Sequence, residues 1–341
     1  MKILLIYFFI FLIVLFLGIY LFKKMEFEKD MKESFSNSYS NNKLCCLYAY
    51  YEKNDLYKNN FKYFLDNGIL ENVDYYIIIN GNCTVNIPEK KNITIYKRDN
   101  KGYDFGAFSY AIHKLNKEYD YYFFINTSVC GPYISQENKN KPWTEYFLEL
   151  FNSAQETTSH DTDLGRADAM NDVNSGRANE MNESDKSNIK VVGTSINIFT
   201  HNTIGSKDHL YNLVEIYHKN KPFSHVQSMF FCIDKEYFDY LKQINFFNEE
   251  ELNNARHIDY VIANKEIGLS QIALKKGWNI NCILSKYKNM DYRTVNSDFN
   301  PSSHNGDPYF NNSYFGNDID KYEVIFLKNN RSLDAPKKSI K

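Results

Sequence analysis

The sequence lacks an excess of charge of either sign. Its 341 residues include 40 Lys and Arg against 42 Asp and Glu, which leaves a formal charge of −2. A domain that binds nucleic acid usually carries a basic patch and a high isoelectric point, so we expect no nucleic-acid partner. The 43% of hydrophobic and 16% of aromatic residues exclude a disordered chain and predict a globular body.

Cysteine is scarce, and no internal repeat is visible. The six cysteines are far too few for a disulfide-stabilised scaffold in a chain of this length. No Cys-x-x-Cys pair is present to suggest a zinc site. The cysteine content leaves the redox compartment open.

One long apolar run lies near the amino terminus. Residues 3–22 are 20 consecutive positions without a charge, and a helix rising about 1.5 Å per residue would span the roughly 30 Å of a bilayer core. The run ends at Lys23 and Lys24 without a signal-peptide cleavage site, so we predict an uncleaved signal-anchor. Lys2 and the terminal amine oppose these lysines and leave the orientation open. We favour a single-pass type II protein with its body in the ER or Golgi lumen or an equivalent compartment.

Composition divides the rest of the chain. Residues 23–42 are charged and then rich in Ser and Asn, which predicts a stalk. We expect one folded domain over 43–327 and a flexible tail over 328–341. Within the domain, residues 152–188 contain no Ile, Phe, Tyr or Trp. They cannot bury enough apolar surface to become ordered, so we predict a disordered insert there.

Short apolar runs alternate with helical patterns in the first part of this domain. Helical spacing of apolar residues predicts helices over 57–65 and 107–115. Strands are predicted over 44–51, 75–80, 93–96, 121–126 and 190–195. The alternation favours an α/β domain with a mostly parallel sheet and helices on both faces. Ligands of such sheets bind beyond the carboxyl ends of the strands, so the residues that follow each strand are site candidates.

The first candidate is the polar loop at 98–107, between the third predicted strand and a helix. Gly102 and Gly106 permit close approach of the backbone, and the helix start offers N–H groups to a phosphate. Arg98 could add positive charge. Composition alone favours a plainer interpretation, in which the loop is a connection and Asp104 caps the helix.

The second candidate follows the predicted strand over 121–126. Asn126 and Ser128 are expected at the carboxyl edge of the sheet, just before the chain breaks at Gly131-Pro132. They could hold a sugar, a ribose or a metal-bound diphosphate, or they could bond their own backbone in a turn. Asn126 also begins a glycosylation sequon. Further sequons, which would make the chain a glycoprotein, begin at Asn82, Asn92, Asn182 and Asn311.

Two more candidates lie in the second half of the domain. At 225–234, His225 and Gln227 lead into an apolar strand. Residues 257–277 have a helical pattern in which Glu266 lies among apolar neighbours. A carboxylate in that setting has no obvious partner unless it faces a site, although most helical glutamates are simply solvated.

Together these segments resemble the signature segments of the rhamnan-synthesis F type glycosyltransferases and their eukaryotic and viral relatives, in order and in spacing. The matching runs are Arg98-x-Asn100-x-Gly102-x-Asp104-Phe105-Gly106-Ala107, Phe124-Ile125-Asn126-x-Ser128-Val129-x-Gly131-Pro132 and His225-x-Gln227-Ser228. More distantly, Lys265-Glu266-x-Gly268-Leu269-Ser270 and Lys276-Gly277-Trp278-Asn279-Ile280 are similar to segments of inverting, family-2-like glycosyltransferases of GT-A fold. The resemblance covers about residues 44–290.

The resemblance implies a GT-A-like, Rossmann-like domain and an enzyme of polysaccharide biosynthesis. It would transfer a hexosyl or deoxyhexosyl group, with inversion, from a nucleotide sugar to a hydroxyl of a glycan or other glycoconjugate. It implies donor binding by Arg98, Asn100, Gly102, Asp104, Asn126 and Ser128. His225 and Gln227 would lie on the acceptor side. Glu266 would be the catalytic base, with Asp234 and Asp259 as its rivals.

One element of many GT-A enzymes is missing. The strand-end Asp-x-Asp that holds their divalent ion is here Asn126-x-Ser128, and neutral ligands bind Mg²⁺ or Mn²⁺ less well than carboxylates. The metal therefore stays unassigned. Either Asp104 supplies a charge nearby, or Arg98 and helix N–H groups neutralise the diphosphate alone.

Two other classes of protein stay open. One is a catalytically inactive, glycosyltransferase-like membrane protein that binds glycans or acts as a scaffold. The other is a membrane-tethered adhesion or structural protein without small-molecule chemistry.

Overall fold

The computed structural model describes residues 16–18, 20, 23–24, 42–152, 188–200, 208–219, 221–255 and 257–330. The chain divides into two units, Met1–Asn42 and Lys43–Lys341. Among the described residues, none of the helices has both the length and the apolar character needed to cross a bilayer. The predicted anchor at 3–22 and stalk at 23–42 lie almost wholly outside the described residues. The same holds for the predicted insert, apart from its ends at 152 and 188, and for the tail from 331 onward.

A mostly parallel sheet forms the centre of the second unit. The strands of this unit are β1 (Leu44–Tyr50), β2 (Val73–Asn80), β3 (Ile93–Arg98), β4 (Tyr121–Asn126), β5 (Val129–Cys130), β6 (Ile189–Gly193), β7 (Ile196–Phe199), β8 (Phe223–Val226), β9 (Phe230–Asp234), β10 (Asn279–Cys282) and β11 (Leu327–Lys328). In the described part of the chain the main sheet has seven strands, in the order β10-β6-β9-β4-β1-β2-β3. Strand β9 runs antiparallel to β4 and β6, whereas β1 to β4 run parallel to one another. Two antiparallel pairs, β5 with β11 and β7 with β8, lie beside it.

Helices connect and cover these strands. They are α1 (Asp55–Asn67), α2 (Tyr103–Ile112), α3 (Trp143–Asn152), α4 (Asp208–Tyr217), α5 (Lys235–Gln243), α6 (Glu249–Asn253), α7 (Ile258–Val261), α8 (Gly268–Lys275) and α9 (Lys321–Val324), with a 3₁₀ turn at Gln136–Asn138 and a π-helical turn at Ile262–Ile267. The prediction of an α/β domain with a mostly parallel sheet is confirmed. The predicted strand over 121–126 coincides with β4, and the other four predicted strands overlap β1, β2, β3 and β6.

The central strands are largely buried. Strand β1 is buried at each of its seven positions. Because successive side chains of a strand point to opposite faces, both faces of the sheet are covered there. Aromatic rings hold α2 against the sheet: Phe124 of β4 stacks on Phe231 of β9 at 4.4 Å, and Phe108 of α2 meets Phe124 edge-on at 5.1 Å. Such pairs contribute about 0.5–1.5 kcal/mol each beyond the burial of their area.

The strand order places a crevice beside β4. From β1 the chain proceeds outward through β2 and β3, and then returns to add β4 on the other side of β1. Ligands of open α/β sheets bind at such a reversal, beyond the carboxyl ends of the strands. Strand β11 pairs with β5 immediately after β4, so the predicted domain boundary at 327 falls inside a strand.

Candidate active site

A cavity of about 160 Å³ opens beyond the carboxyl end of β4. Four of the residues singled out from the sequence line it: Asp104, Asn126, Ser128 and Glu266. The start of α2 and the loop after β4 form one wall. The loop between β8 and β9 and the turn that carries Glu266 form a second wall, and Lys328 of β11 completes the lining.

The backbone before α2 is unusual at two consecutive residues. Gly102 has a φ of +67° and Tyr103 a φ of +56°, so both lie in the left-handed region. A Cβ at Gly102 would stand 2.6 Å from the carbonyl oxygen of Leu252, which makes glycine necessary there. Tyr103 has no such freedom, and its 37% exposed ring lines the cavity. Left-handed backbone at a non-glycine residue costs about 1–2 kcal/mol and clusters at functional sites.

Asp104 does not cap α2. The helix begins at Tyr103, and Gly102 occupies the cap position. Asp104 lies in the first turn, where its Oδ1 accepts a hydrogen bond of 3.0 Å from the N–H of Phe105. The capping interpretation is therefore wrong, and Oδ2 of Asp104 points toward β4, where it meets Asn126.

Arg98 holds the loop in place and is not part of the cavity lining. Its guanidinium donates to Oδ1 of Asn80 at 2.8 Å, to the carbonyl of Lys101 at 2.9 Å and to Oδ1 of Asn253 at 2.7 Å. These bonds tie the ends of β2 and β3 to α6. Asn100 is exposed and also lies outside the lining. Of the predicted donor residues in this loop, only Asp104 faces the cavity, whereas Gly102 shapes the backbone beneath it.

Asp104, Asn126 and Ser128 form a hydrogen-bonded chain. Nδ2 of Asn126 donates to Oδ2 of Asp104 at 2.8 Å. Oδ1 of Asn126 accepts from the backbone N–H of Ser128 at 2.9 Å and from its hydroxyl at 2.5 Å. The N–H of Ser128 can only donate, which fixes the amide with its oxygen toward Ser128 and its nitrogen toward Asp104.

The hydrogen-bonded group of Asp104, Asn126 and Ser128 fits a divalent cation poorly. The amide nitrogen of Asn126 cannot bind a cation, and its oxygen already accepts two hydrogen bonds. Mg²⁺ and Mn²⁺ prefer carboxylate oxygens, and this group offers only those of Asp104. In the part of the chain that the structure describes, no three His, Cys, Asp or Glu side chains are grouped in a way that could hold a metal ion.

The charge of Glu266 acts on Asp104. Burial raises the pKa of Asp104 to about 6, the hydrogen bond from Asn126 opposes that rise, and the negative charge of Glu266 adds to it. Because both groups line the same small cavity, their charges act on the same bound molecule. A proton or a substrate hydroxyl between them would relieve the repulsion.

Glu266 is presented by a π-helical turn. The sequence predicts one helix over 257–277, but the structure has α7, the π-helical turn Ile262–Ile267 and then α8. Within this turn Lys265 and Ile267 are buried, whereas Glu266 reaches the cavity. Lys265 fixes the turn by donating to the carbonyl of Phe246 at 2.8 Å and by pairing with Glu251 at 3.0 Å. Such π-helical turns are frequent at functional sites because they redirect side chains.

The two rival carboxylates do not line the cavity. Asp234 pairs with Tyr121 at the first residue of β4, whereas the cavity lies beyond the last, about 16 Å along the strand. Asp234 also caps α5 and accepts from Lys190 at 2.7 Å. Asp259 lies in the first turn of α7, with Oδ2 at 3.2 Å from Nδ1 of His257. Neither residue belongs to the cavity lining.

His225 and Gln227 lie behind the cavity wall. Both are buried, at 3% and 2% exposure. Nδ1 of His225 bonds to the carbonyl of Phe223 at 2.9 Å, and Gln227 accepts from the hydroxyl of Ser195 at 2.6 Å. Burial lowers the pKa of His225, and the nearby charge of Glu266 opposes the fall. The neighbouring Ser228 reaches the cavity, and its N–H lies 3.4 Å from Oε1 of Glu266.

Sequence reasoning missed two charged or aromatic members of the lining. Tyr103 stands inside the first candidate loop, but nothing in its type signals left-handed backbone. Lys328 was assigned to the tail beyond the domain. Its place depends on the pairing of β11 with β5, a contact between distant parts of the chain that has no local signature.

Comparisons with known proteins give only loose similarity. No protein-family model matches the chain, and no curated protein matches it. Among solved structures, the chain is similar to the crystal structure of a glycosyltransferase involved in the glycosylation of the major capsid of PBCV-1. The two share 13% sequence identity, over 65% of this chain and 74% of that chain, with a TM-score of 0.27. An overlap this loose carries no argument about function, which has to rest on the site.

Proposed function

We propose that the chain is a membrane-anchored glycosyltransferase of GT-A-like fold that moves a sugar, with inversion, from a nucleotide sugar to a hydroxyl of a glycan or glycoconjugate. The observation that carries the proposal is the pair of carboxylates, Asp104 and Glu266, which line one cavity at the strand-order reversal. The mostly parallel sheet and the resemblance of the four sequence segments support the same assignment.

The wall formed by Asp104, Asn126 and Ser128 suits the donor. Its carboxylate can accept hydrogen bonds from sugar hydroxyls, and its amide N–H and hydroxyl groups can bond sugar hydroxyls or phosphate oxygens. They are already linked to one another, so they would be held in place before the donor arrives. Preorganised polar groups stabilise developing charge without the cost of reorientation. The exposed ring of Tyr103 stands at the edge of this wall, where it can pack against the donor.

The second wall suits the acceptor. Inverting transfer needs one base that takes the proton from the acceptor hydroxyl while its oxygen attacks the anomeric carbon. Glu266 is half-buried and lines the same cavity as the donor wall, so a hydroxyl bound in the cavity would lie within its reach. The bond from the anomeric carbon to the diphosphate breaks on the far side as the new bond forms. Asp104, on the donor wall, is left to orient the sugar.

A panel of nucleotide sugars tests the proposal. The full 341-residue chain is incubated with UDP-, GDP-, dTDP- and CMP-linked sugars, with and without Mn²⁺, and the released nucleotide is measured. We expect at least one donor to be hydrolysed slowly, and faster when an acceptor glycan is added. Saturable binding of a nucleoside diphosphate without any turnover would support the inactive, glycan-binding alternative. Absence of both binding and turnover would support an adhesion or structural protein.

A further inference from the structure

Lys328 occupies a place beside the donor wall that no sequence motif assigns. It lies in β11, which pairs antiparallel with β5, and its partner in that register is Val129, the residue after Ser128. Its side chain is half-buried and lines the same cavity as Asp104, Ser128 and Glu266. The pairing of β11 with β5 therefore places Lys328 next to the donor wall.

Asn60 of α1 links the segment next to Ser128 to the segment next to Lys328. It is 2% exposed, and its Nδ2 donates to the carbonyl of Thr127 and to Oδ1 of Asn329, each at 2.9 Å. Asn329 returns a bond of 2.8 Å to Oδ1 of Asn60. The residue before Ser128 and the residue after Lys328 are therefore fixed to one buried side chain.

The positive charge of Lys328 acts within the site. Burial is the main cause of the lowered pKa of His225, and the charge of Lys328 makes a small further contribution. Of the residues that line the cavity, Lys328 is the one that carries a positive charge, since the others named by the structure are acidic or neutral. The sequence suggested Arg98 as the source of positive charge. Arg98 lies outside the lining, where it donates hydrogen bonds to Asn80, Lys101 and Asn253.

Sugar transfer requires a positive charge on the leaving side. When the acceptor oxygen bonds to the anomeric carbon, the electron pair of the broken bond stays on the diphosphate, and the acceptor proton goes to Glu266. The diphosphate gains a negative charge, which a metal ion or a basic side chain has to neutralise. The hydrogen-bonded group of Asp104, Asn126 and Ser128 fits a divalent cation poorly.

We propose that the ammonium group of Lys328, in place of a divalent cation, neutralises the diphosphate of the leaving nucleotide. The inference rests on the proposed glycosyltransferase function. The inference predicts that the donor is a nucleoside diphosphate sugar, because the leaving diphosphate needs this charge. It also predicts that transfer does not depend on a metal ion. An ammonium group is a compact charge with three donors, which suits a diphosphate whose oxygens diverge.

The test compares three variants with the unmodified full chain. Lys328→Met removes the charge at nearly constant length, Lys328→Arg keeps it, and Lys321→Met removes the charge of an exposed lysine of α9 outside the cavity. Affinities for UDP, GDP and dTDP are measured by calorimetry in EDTA, and donor turnover is measured with EDTA or Mn²⁺. Thermal melting checks that each variant folds.

We expect the unmodified chain to bind a nucleoside diphosphate and to consume its sugar in EDTA. Lys328→Met should lower turnover about 10²- to 10³-fold, the usual effect of losing one such electrostatic group. Lys328→Arg should recover most of it, and Lys321→Met should match the unmodified chain. Equal turnover in Lys328→Met, or abolition of the unmodified activity by EDTA, would overturn the inference and leave the glycosyltransferase function standing. Failure of the unmodified chain to bind any nucleotide or consume any donor would overturn both. If Lys328→Met does not fold, the EDTA result alone decides the inference.

Discussion

The two walls of the cavity differ in how their polar groups are used. On the donor wall, Asp104, Asn126 and Ser128 bond one another, which holds these groups in place, and Lys328 beside them adds a positive charge. On the second wall, Glu266 has the weak contact of 3.4 Å from the N–H of Ser228. We therefore assign positioning of the donor to the first wall and proton transfer to the second.

The walls are also built differently. The donor wall depends on local chain geometry, namely the left-handed backbone at Gly102 and Tyr103 and the direct succession of β4 and the loop after it. The second wall depends on elements far apart in the sequence, since the π-helical turn and the loop between β8 and β9 meet only in the folded chain. Changes in the second wall should therefore affect catalysis most, and changes in the first should affect binding and stability.

The largest effect is expected at Glu266. Glu266→Gln keeps the shape of the side chain and removes the proton acceptor, so transfer should fall about 10²-fold or more. Donor affinity should stay nearly unchanged, because the group acts on the acceptor. Single-turnover kinetics with the active donor measure the rate. Glu250→Gln, an exposed position in α6, is the matched control. A rate close to that of the unmodified chain would remove Glu266 as the base.

A large effect on stability is expected at Gly102. Alanine there must adopt a φ of +67° and place its Cβ 2.6 Å from the carbonyl of Leu252, so we expect a loss of about 2–3 kcal/mol. Gly81→Ala separates the effect of the left-handed backbone from the effect of the contact with Leu252, since Gly81 has a φ of +87° but open space where a Cβ would be added. It should lose only about 1 kcal/mol. Urea denaturation measures both values, and equal losses would show that the contact with Leu252 is unimportant.

A smaller effect is expected at Asp104. Asp104→Ala removes the acceptor of the bond from Asn126 and frees the amide, so donor affinity should fall about tenfold, or 1.4 kcal/mol. The protein should still melt cooperatively. Asp99→Asn, in the same loop but exposed, is the control. If affinity survives the change at Asp104, the donor does not use this wall.

The smallest effect is a pH dependence of stability. Burial raises the pKa of Asp104 from 3.8 to about 6, so between these values the folded chain binds more protons at this site than the unfolded chain. The stability contributed by this group is therefore present below about pH 4 and is lost as pH rises through 6. Relative to Asp104→Asn, the unmodified chain should lose about 1 kcal/mol between pH 4 and 7, a figure reduced for partial solvent screening. Parallel stability curves of the two proteins would contradict the shift.

The sequence predicted the donor wall better than the second wall, which carries Glu266. Strand β4 was predicted to the residue, because an uninterrupted apolar run ends in short polar residues. Asp104, Asn126 and Ser128 follow from that run and from the loop before α2, and they do meet. The start of α2 was predicted late, since the apolar pattern begins at 107 while the helix begins at Tyr103, directly after the left-handed Gly102.

The second wall could not be predicted in the same way. The segment at 225–234 was assigned to a single strand, but a turn at Gln227, Ser228 and Met229 divides it into β8 and β9 without any Gly or Pro. The π-helical turn has no sequence signature distinct from an α-helix. Lys328, although it lies beside the donor wall, likewise reaches the cavity only because β11 pairs with β5. Each of these features is decided by tertiary packing, which local patterns do not encode.

A crystal structure of the full chain with its preferred nucleoside diphosphate tests the central claim most directly. The account predicts that the diphosphate lies in the cavity between Ser128 and Lys328, with the carboxylate of Glu266 open on the acceptor side. A second cavity of about 290 Å³, lined by Ile112, Lys242 and Phe247 among others, offers a different position on the protein. A nucleotide bound there, or anywhere away from Asp104 and Glu266, would contradict the account.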